Sequence, residues 1–100
     1  MAKPIYVMYR MRPTAAGWEL SEEERAELMA RNQALHAQAG AKHVIFLDPF
    51  WSTERWYFAG VAEFEDMEAF LKFEDLQKAA GVGQYQESEI MLATKLEMDW

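Results

Sequence analysis

The stretch RWYFAGVAEF, residues 55–64, restricts the possible folds of this chain more than any other segment. It is rich in aromatic and β-branched residues, which favours a β-strand. Both alternating sets of its side chains are apolar: Trp56, Phe58 and Ala62 on one side, and Tyr57, Ala59 and Val61 on the other. A strand with two apolar faces needs cover on both faces. We therefore predict a central strand, with Trp56 and Phe58 in the same layer.

Three further segments have the composition of β-strands, at residues 3–12, 42–50 and 88–96. The first and the last also carry apolar side chains on both faces. Regular alternation divides the middle segment into two sets: His43, Ile45 and Leu47 on one face, and Val44, Phe46 and Asp48 on the other. The sequence therefore predicts a sheet of four strands.

Two helices separate these strands. Ser21 and Glu24 form a capping-box pattern that starts the first helix, which runs to about residue 39 before Gly40. Asp66 caps the second helix, which runs to about residue 80 and stops at Gly81. The predicted order of elements is therefore βαββαβ.

Right-handed crossovers place both helices on one face of a four-stranded antiparallel sheet. This is an α+β, ferredoxin-like fold, and 100 residues suffice for one domain over residues 1–100. The other face of the sheet is apolar and uncovered, which soluble monomers rarely tolerate. We therefore predict a homodimer in which two sheets pack face to face.

Composition excludes several classes of function. A net charge of −7 argues against non-specific binding to nucleic acid, which needs a concentrated basic surface. The chain has no cysteine, so disulfides, thiolate metal sites and a cysteine nucleophile are excluded. No apolar run approaches the roughly 20 residues that span a bilayer, and the N-terminus lacks a secretion signal. We expect a cytoplasmic protein that binds neither nucleic acid nor membrane.

The element order and the two-faced strands resemble the dimeric α+β barrel superfamily, and the resemblance covers nearly the whole chain. Its members include cofactor-independent antibiotic-biosynthesis monooxygenases, muconolactone isomerases, haem-degrading oxygenases and EthD-like proteins. The segment GWELSEEER, residues 17–25, resembles the helix entry of darcynin-like domains. The resemblance implies a pocket between the helices and the sheet, and no motif carries a catalytic residue over.

Candidate catalytic residues are His36, Arg10 and Tyr9. His36 lies on the edge of the first helix one turn after Asn32, so both side chains can face a pocket. An imidazole near neutral pH suits a general base, for which Tyr9 is the alternative. The guanidinium of Arg10 can hold a developing anion. A simpler hypothesis is that His36 only packs at the helix edge.

Other charged and histidine residues suggest structural roles. Arg10 can instead form an internal ion pair with Glu63 or Asp48, and His43 is expected to be structural or exposed. Two histidines without helical ligand spacing cannot build a closed zinc site, so we predict no metal.

Aromatic residues are the most suggestive feature of the composition. The candidate lining of an apolar substrate pocket is Tyr6, Tyr9, Phe46, Phe50, Trp51, Trp56, Phe58, Phe70 and Phe73. Most of these side chains can equally belong to the core, because aromatic residues dominate core burial. Phe50 and Trp51 fall in a predicted loop and must cover a neighbour, a pocket mouth or a partner. Trp18 and Trp100 pose the same question.

Three functions fit these residues. The first is an enzyme without a cofactor, an oxygenase or isomerase acting on an apolar aromatic or polyketide-like substrate. The second is haem binding or haem degradation through His36 or His43. The third is a non-catalytic dimer that binds a ligand or stabilises a partner.

Overall fold

The computed structural model describes residues 3–99 and has the predicted ferredoxin-like fold. Its strands are β1 (Ile5–Pro13), β2 (Lys42–Leu47), β3 (Phe58–Phe64) and β4 (Gln86–Ala93). Its helices are α1 (Ala15–Trp18), α2 (Glu22–Gln38), α3 (Phe50–Thr53) and α4 (Met67–Ala80), followed by a 3-10 turn at Val82–Gln84. The sheet order is β2-β3-β1-β4, and all neighbouring strands are antiparallel. The short helices α1 and α3 are additions to the predicted order.

The two long helices begin and end where their capping residues predict. The Ser21 hydroxyl accepts from the amide of Glu24, and the Glu24 carboxylate accepts from the amide of Ser21. Asp66 accepts from the amide of Ala69 at 2.9 Å at the start of α4. Gly81 follows α4 with φ of 70°, the left-handed conformation that closes a helix. Local chemistry therefore sets these boundaries.

One face of the sheet packs against α2 and α4. Val7 of β1 lies opposite Ala62 of β3, and both are buried. The core around them joins the two helices to the sheet and consists of Val7, Leu35, Ala39, Ala62, Phe64, Phe70, Phe73 and Val82. Side chains alternate along a strand, so the odd residues of β1 and the even residues of β3 face the helices. We call this the helix face and the other side the open face.

The prediction that Trp56 and Phe58 share a layer is wrong. The ring of Phe58 stacks on Tyr9 at 6.0 Å between centroids, on the helix face. The ring of Trp56 lies 4.6 Å from the guanidinium carbon of Arg10, which follows Tyr9 on β1 and points to the open face. Strand β3 begins at Phe58 rather than at residue 55. Strand alternation therefore does not extend back to Trp56.

Strand β2 departs from the predicted alternation because it contains a β-bulge. His43 lies opposite Ala62 and Ile45 lies opposite Val61, so the register shifts at this point. His43 and Phe46 consequently share the helix face, and their rings stack at 4.6 Å. Regular alternation would have placed these two residues on opposite faces.

Two further segments differ from prediction. Strand β2 ends at Leu47, before Pro49, and Phe50 begins a short helix instead of a loop. Strand β4 begins earlier than predicted and ends at Ala93.

Trp100 lies outside the described residues. Within residues 3–99, no helix has the length and apolar character needed to cross a membrane.

The open face carries apolar side chains that this single chain leaves exposed. Met8 lies opposite Met91 in the β1–β4 pair, and Ile45 and Leu47 lie on the same face of β2. All four side chains are exposed. The predicted apolar surface on this side of the sheet is therefore present.

Candidate functional site

A row of aromatic rings joins α2 to the end of the β2–β3 pair on the helix face. The centroid of the His36 ring on α2 lies 4.5 Å from the centroid of the His43 ring on β2. His43 stacks on Phe46, and Phe46 in turn lies 5.7 Å from Phe58 on β3. Tyr9 of β1 contacts both His43 and Phe58. Three strands and one helix thus bring two imidazoles and a phenol together.

His36 is oriented by its own helix. Its Nδ1 lies 2.8 Å from the main-chain oxygen of Asn32. A carbonyl oxygen only accepts, so Nδ1 carries the hydrogen, and the neutral ring has its lone pair on Nε2. Burial lowers the pKa of His36; the bond to Asn32 opposes this effect, and the nearby His43 adds to it. His36 is therefore a neutral base with one free nitrogen near pH 7.

His43 is the second imidazole of the row. It is only partly buried, and burial is the cause that lowers its pKa. Its ring contacts are His36 from α2, Tyr9 from β1 and Phe46 from its own strand. His43 therefore links the half-buried ring of His36 to the exposed ring of Phe46.

Tyr9 has its position because Gly60 lies opposite it on β3. A Cβ atom at residue 60 would stand 2.6 Å from the Tyr9 hydroxyl oxygen and 2.7 Å from the main-chain oxygen of Ile45. Burial raises the pKa of Tyr9 to about 12. The phenol therefore stays protonated at neutral pH, which suits a hydrogen-bond donor rather than a base.

An open cleft of about 480 Å³ lies at the end of the β2–β3 pair. Its lining is aromatic with one carboxylate: Phe46, Leu47, Asp48, Phe50, Tyr57 and Phe58. Asp48 accepts from the amide of Phe50 at 3.0 Å, which fixes the start of α3. The ring of Phe50 meets Tyr57 edge-on at 6.0 Å, and Tyr57 meets Trp18 edge-on at 5.6 Å. Trp18 therefore supports the aromatic wall of this cleft.

Several residues predicted for the site lie at or beside this cleft. Phe50 and Phe58 line it, and Tyr9 stacks behind Phe58. Phe73 of α4 is buried and packs on the other end of the row, 4.3 Å from His36. Asn32 contributes through its main chain, while its side chain accepts from Gln77 of α4 at 3.3 Å.

Arg10 is not brought together with His36 and Tyr9. It lies on the open face, where its Nε donates to Glu89 of β4 at 3.0 Å. This hydrogen bond lowers the pKa of Glu89. Arg12 pairs with Glu87 in the same way. The predicted ion pairing of an arginine is confirmed, but its partners are on β4 rather than Glu63 or Asp48.

Other predicted pocket residues lie elsewhere. Tyr6 is on the open face beside Glu63, whose hydrogen bond raises the Tyr6 pKa. Trp56 is buried under Arg10 and Arg12, and Phe70 packs edge-on against Phe64 in the core. Trp51 is 81% exposed and does not line the cleft.

The sequence named Phe46 as a possible pocket residue and His43 as a possible haem ligand, but it predicted neither their contact with each other nor the place of Tyr57 in the cleft wall. Phe46 joins His43 only through the bulge in β2, which regular alternation cannot predict. No cluster of three or more histidine or acidic side chains able to hold a metal ion occurs in residues 3–99.

Comparison with known proteins identifies the fold. No protein-family profile matches this sequence, and no curated protein does. The structure of RPA0582, a protein of unknown function from Rhodopseudomonas palustris, matches with a TM-score of 0.69 at 17% identity, over 97% of this chain and 84% of that chain. SnoaB, a cofactor-independent oxygenase from Streptomyces nogalater, matches with a TM-score of 0.62 at 20% identity, over 97% of both chains.

A hydroxynitrile lyase from Passiflora edulis also matches, with a TM-score of 0.64 at 12% identity over 99% of both chains. These likenesses show that the chain has a ferredoxin-like α+β fold. Within this fold the aromatic row occupies the space between α2 and the β2 side of the sheet. The predicted ferredoxin-like architecture is therefore confirmed.

Proposed function

We propose that this chain is a small-molecule enzyme that removes a proton from an apolar aromatic or polyketide-like substrate, without a cofactor. The observation that carries the proposal is the oriented imidazole of His36 in a row of rings that reaches an aromatic cleft. A neutral imidazole with one free nitrogen suits general-base catalysis near pH 7. Phenyl walls favour flat apolar ligands.

Proton removal is the common first step of two candidate reactions. It converts a phenol or enol into an anion. An isomerase then returns the proton to a carbon atom of this anion, whereas an oxygenase lets the anion react with dioxygen. Tyr9 is a candidate hydrogen-bond donor to that anion, because its raised pKa keeps it protonated. The shared fold with a cofactor-independent oxygenase and a lyase supports small-molecule chemistry of this kind.

A homodimer formed through the open face is part of the proposal. Exposed Met8, Ile45, Leu47 and Met91 form an apolar surface that a second copy would cover. The pairs of Arg10 with Glu89 and Arg12 with Glu87 border this surface and need no charged partner from the second chain. The ligand is expected to be small and apolar, at the cleft of each copy.

The test offers a panel of one-ring and two-ring phenols and β-diketones to the wild type and to each variant. Conversion of each compound is followed by absorbance and by the consumption of dissolved oxygen. We expect turnover of at least one compound, and a loss of about 10²–10⁴-fold in kcat for His36→Gln. Arg31→Gln, an exposed change on the same helix, is the matched control. Full turnover by His36→Gln contradicts the role of the imidazole, and binding without turnover favours the non-catalytic ligand-binding alternative.

A further inference from the structure

The surroundings of His43 favour a role in proton transfer over a purely structural role. Its ring is tilted 51° to that of His36, with 4.5 Å between the centroids. Two imidazoles this close repel each other when both are charged, so the pair favours at most one added proton. Burial lowers the pKa of both rings, in agreement with this arrangement.

The placement of His43 distinguishes it from His36. His36 is tied to the main chain of its helix and packs on Phe73, away from the cleft. Both rings are half-buried, but only His43 stacks on Phe46, which is itself a wall of the cleft and 60% exposed. A ligand that shifts the exposed ring of Phe46 reaches His43 before it reaches His36.

We propose that His36 and His43 act as one proton-accepting pair, in which His43 takes the proton of an acidic phenol or enol bound at the cleft. This inference rests on the proposed function and adds a catalytic residue to it. In this refinement His43 meets the substrate and His36 becomes the positioning residue: it holds the adjacent ring and shares the added proton, so a loss of turnover in His36→Gln reports that role.

The proton transfer from the ligand to His43 needs no oxidant or reductant. The O–H bond of the ligand breaks, its electron pair stays on the oxygen, and a new N–H bond forms on His43. The product is a phenolate or enolate beside a singly protonated imidazole pair. Tyr9, which contacts His43, is the only other titratable side chain in ring contact with the pair among residues 3–99, and its phenol remains neutral. Phe46 and Phe73 complete the contacts from β2 and α4.

The experiment follows both imidazoles by histidine side-chain NMR as a function of pH, in wild type, His43→Gln, His36→Gln and the control Arg31→Gln. We expect the pKa of His36 to rise in His43→Gln, because a neighbouring positive charge is removed, and to stay unchanged in the control. A His36 titration that is identical in wild type and His43→Gln overturns the pair.

A second measurement uses para-nitrophenol as a probe, because its absorbance reports ionisation. We expect wild type to bind it as the phenolate, with protonation of the imidazole signals, and His43→Gln to bind it as the neutral phenol. Equal ionisation in both proteins overturns the role of His43. Absence of probe binding to wild type contradicts the proposed cleft instead, and the His36 titration still decides whether the pair exists.

Discussion

The rings of His36 and His43 lie 4.5 Å apart, although one belongs to a helix and the other to a strand. A short loop after α2 returns the chain to the sheet, and the bulge in β2 then aligns Phe46 with His43 on the same face. The contact therefore depends on sheet register as much as on helix packing.

The pH dependence of stability follows from this pair. Both histidines have folded-state pKa values below the 6.5 of a free imidazole. The unfolded chain therefore binds more protons as pH falls below about 6.5, and the folded state loses stability until the folded pKa values are passed. We expect the free energy of unfolding, from urea titrations, to fall between pH 7 and pH 5. His36→Gln should make this slope shallower, and an unchanged slope would contradict the assignment.

Substitution of Gly60 tests the close packing beneath Tyr9. We expect Gly60→Ala to destabilise the fold by about 1–3 kcal/mol, since its Cβ would collide with the Tyr9 hydroxyl and the Ile45 main chain. Gly83→Ala is the matched control, because no atom lies within 4 Å of a Cβ at that position. Urea denaturation measures both, and equal stability of the two variants would refute the argument.

The open face provides a test of assembly. We expect Met8→Lys to convert the proposed dimer to a monomer, because a charge in the centre of an apolar interface is left unpaired. Met29→Lys places the same change on the exposed surface of α2 and should leave the assembly intact. Light scattering after size exclusion measures the mass of each. A monomeric wild type rules out the dimer.

Cleft walls should determine ligand affinity. We expect Phe58→Leu to weaken binding of an aromatic probe, since loss of one aromatic contact costs about 0.5–1.5 kcal/mol, up to roughly tenfold in Kd. Trp51→Leu changes a nearby exposed aromatic ring that does not line the cleft. Isothermal titration compares the two variants, and an equal loss in both would place the ligand outside the cleft.

Haem binding, the alternative suggested by the superfamily, is tested by a hemin titration. We expect no Soret shift that depends on His36 or His43, because the proposed function assigns both imidazoles to proton transfer without a cofactor. A shift that disappears in His43→Gln or His36→Gln would establish haem ligation and displace the proposed proton chemistry.

The sequence by itself determined the element order and the two long helices. These features depend on local patterns: Ser21 and Asp66 cap helices through bonds to amides three residues away. Such interactions involve residues close in the chain, so their pattern is visible in it.

Only the tertiary structure decided the composition of the candidate site. The bulge in β2 placed His43 with Phe46, and the start of β3 at Phe58 separated that residue from Trp56. Alternation along β1 already places Arg10 and Tyr9 on opposite faces, and the tertiary structure added the partner of Arg10, which is Glu89 on β4. A shift of one residue in register exchanges the two faces of a strand, and this register is fixed by pairing between distant segments. Sequence alone therefore predicted the fold, while the partners of His36 became apparent only in three dimensions.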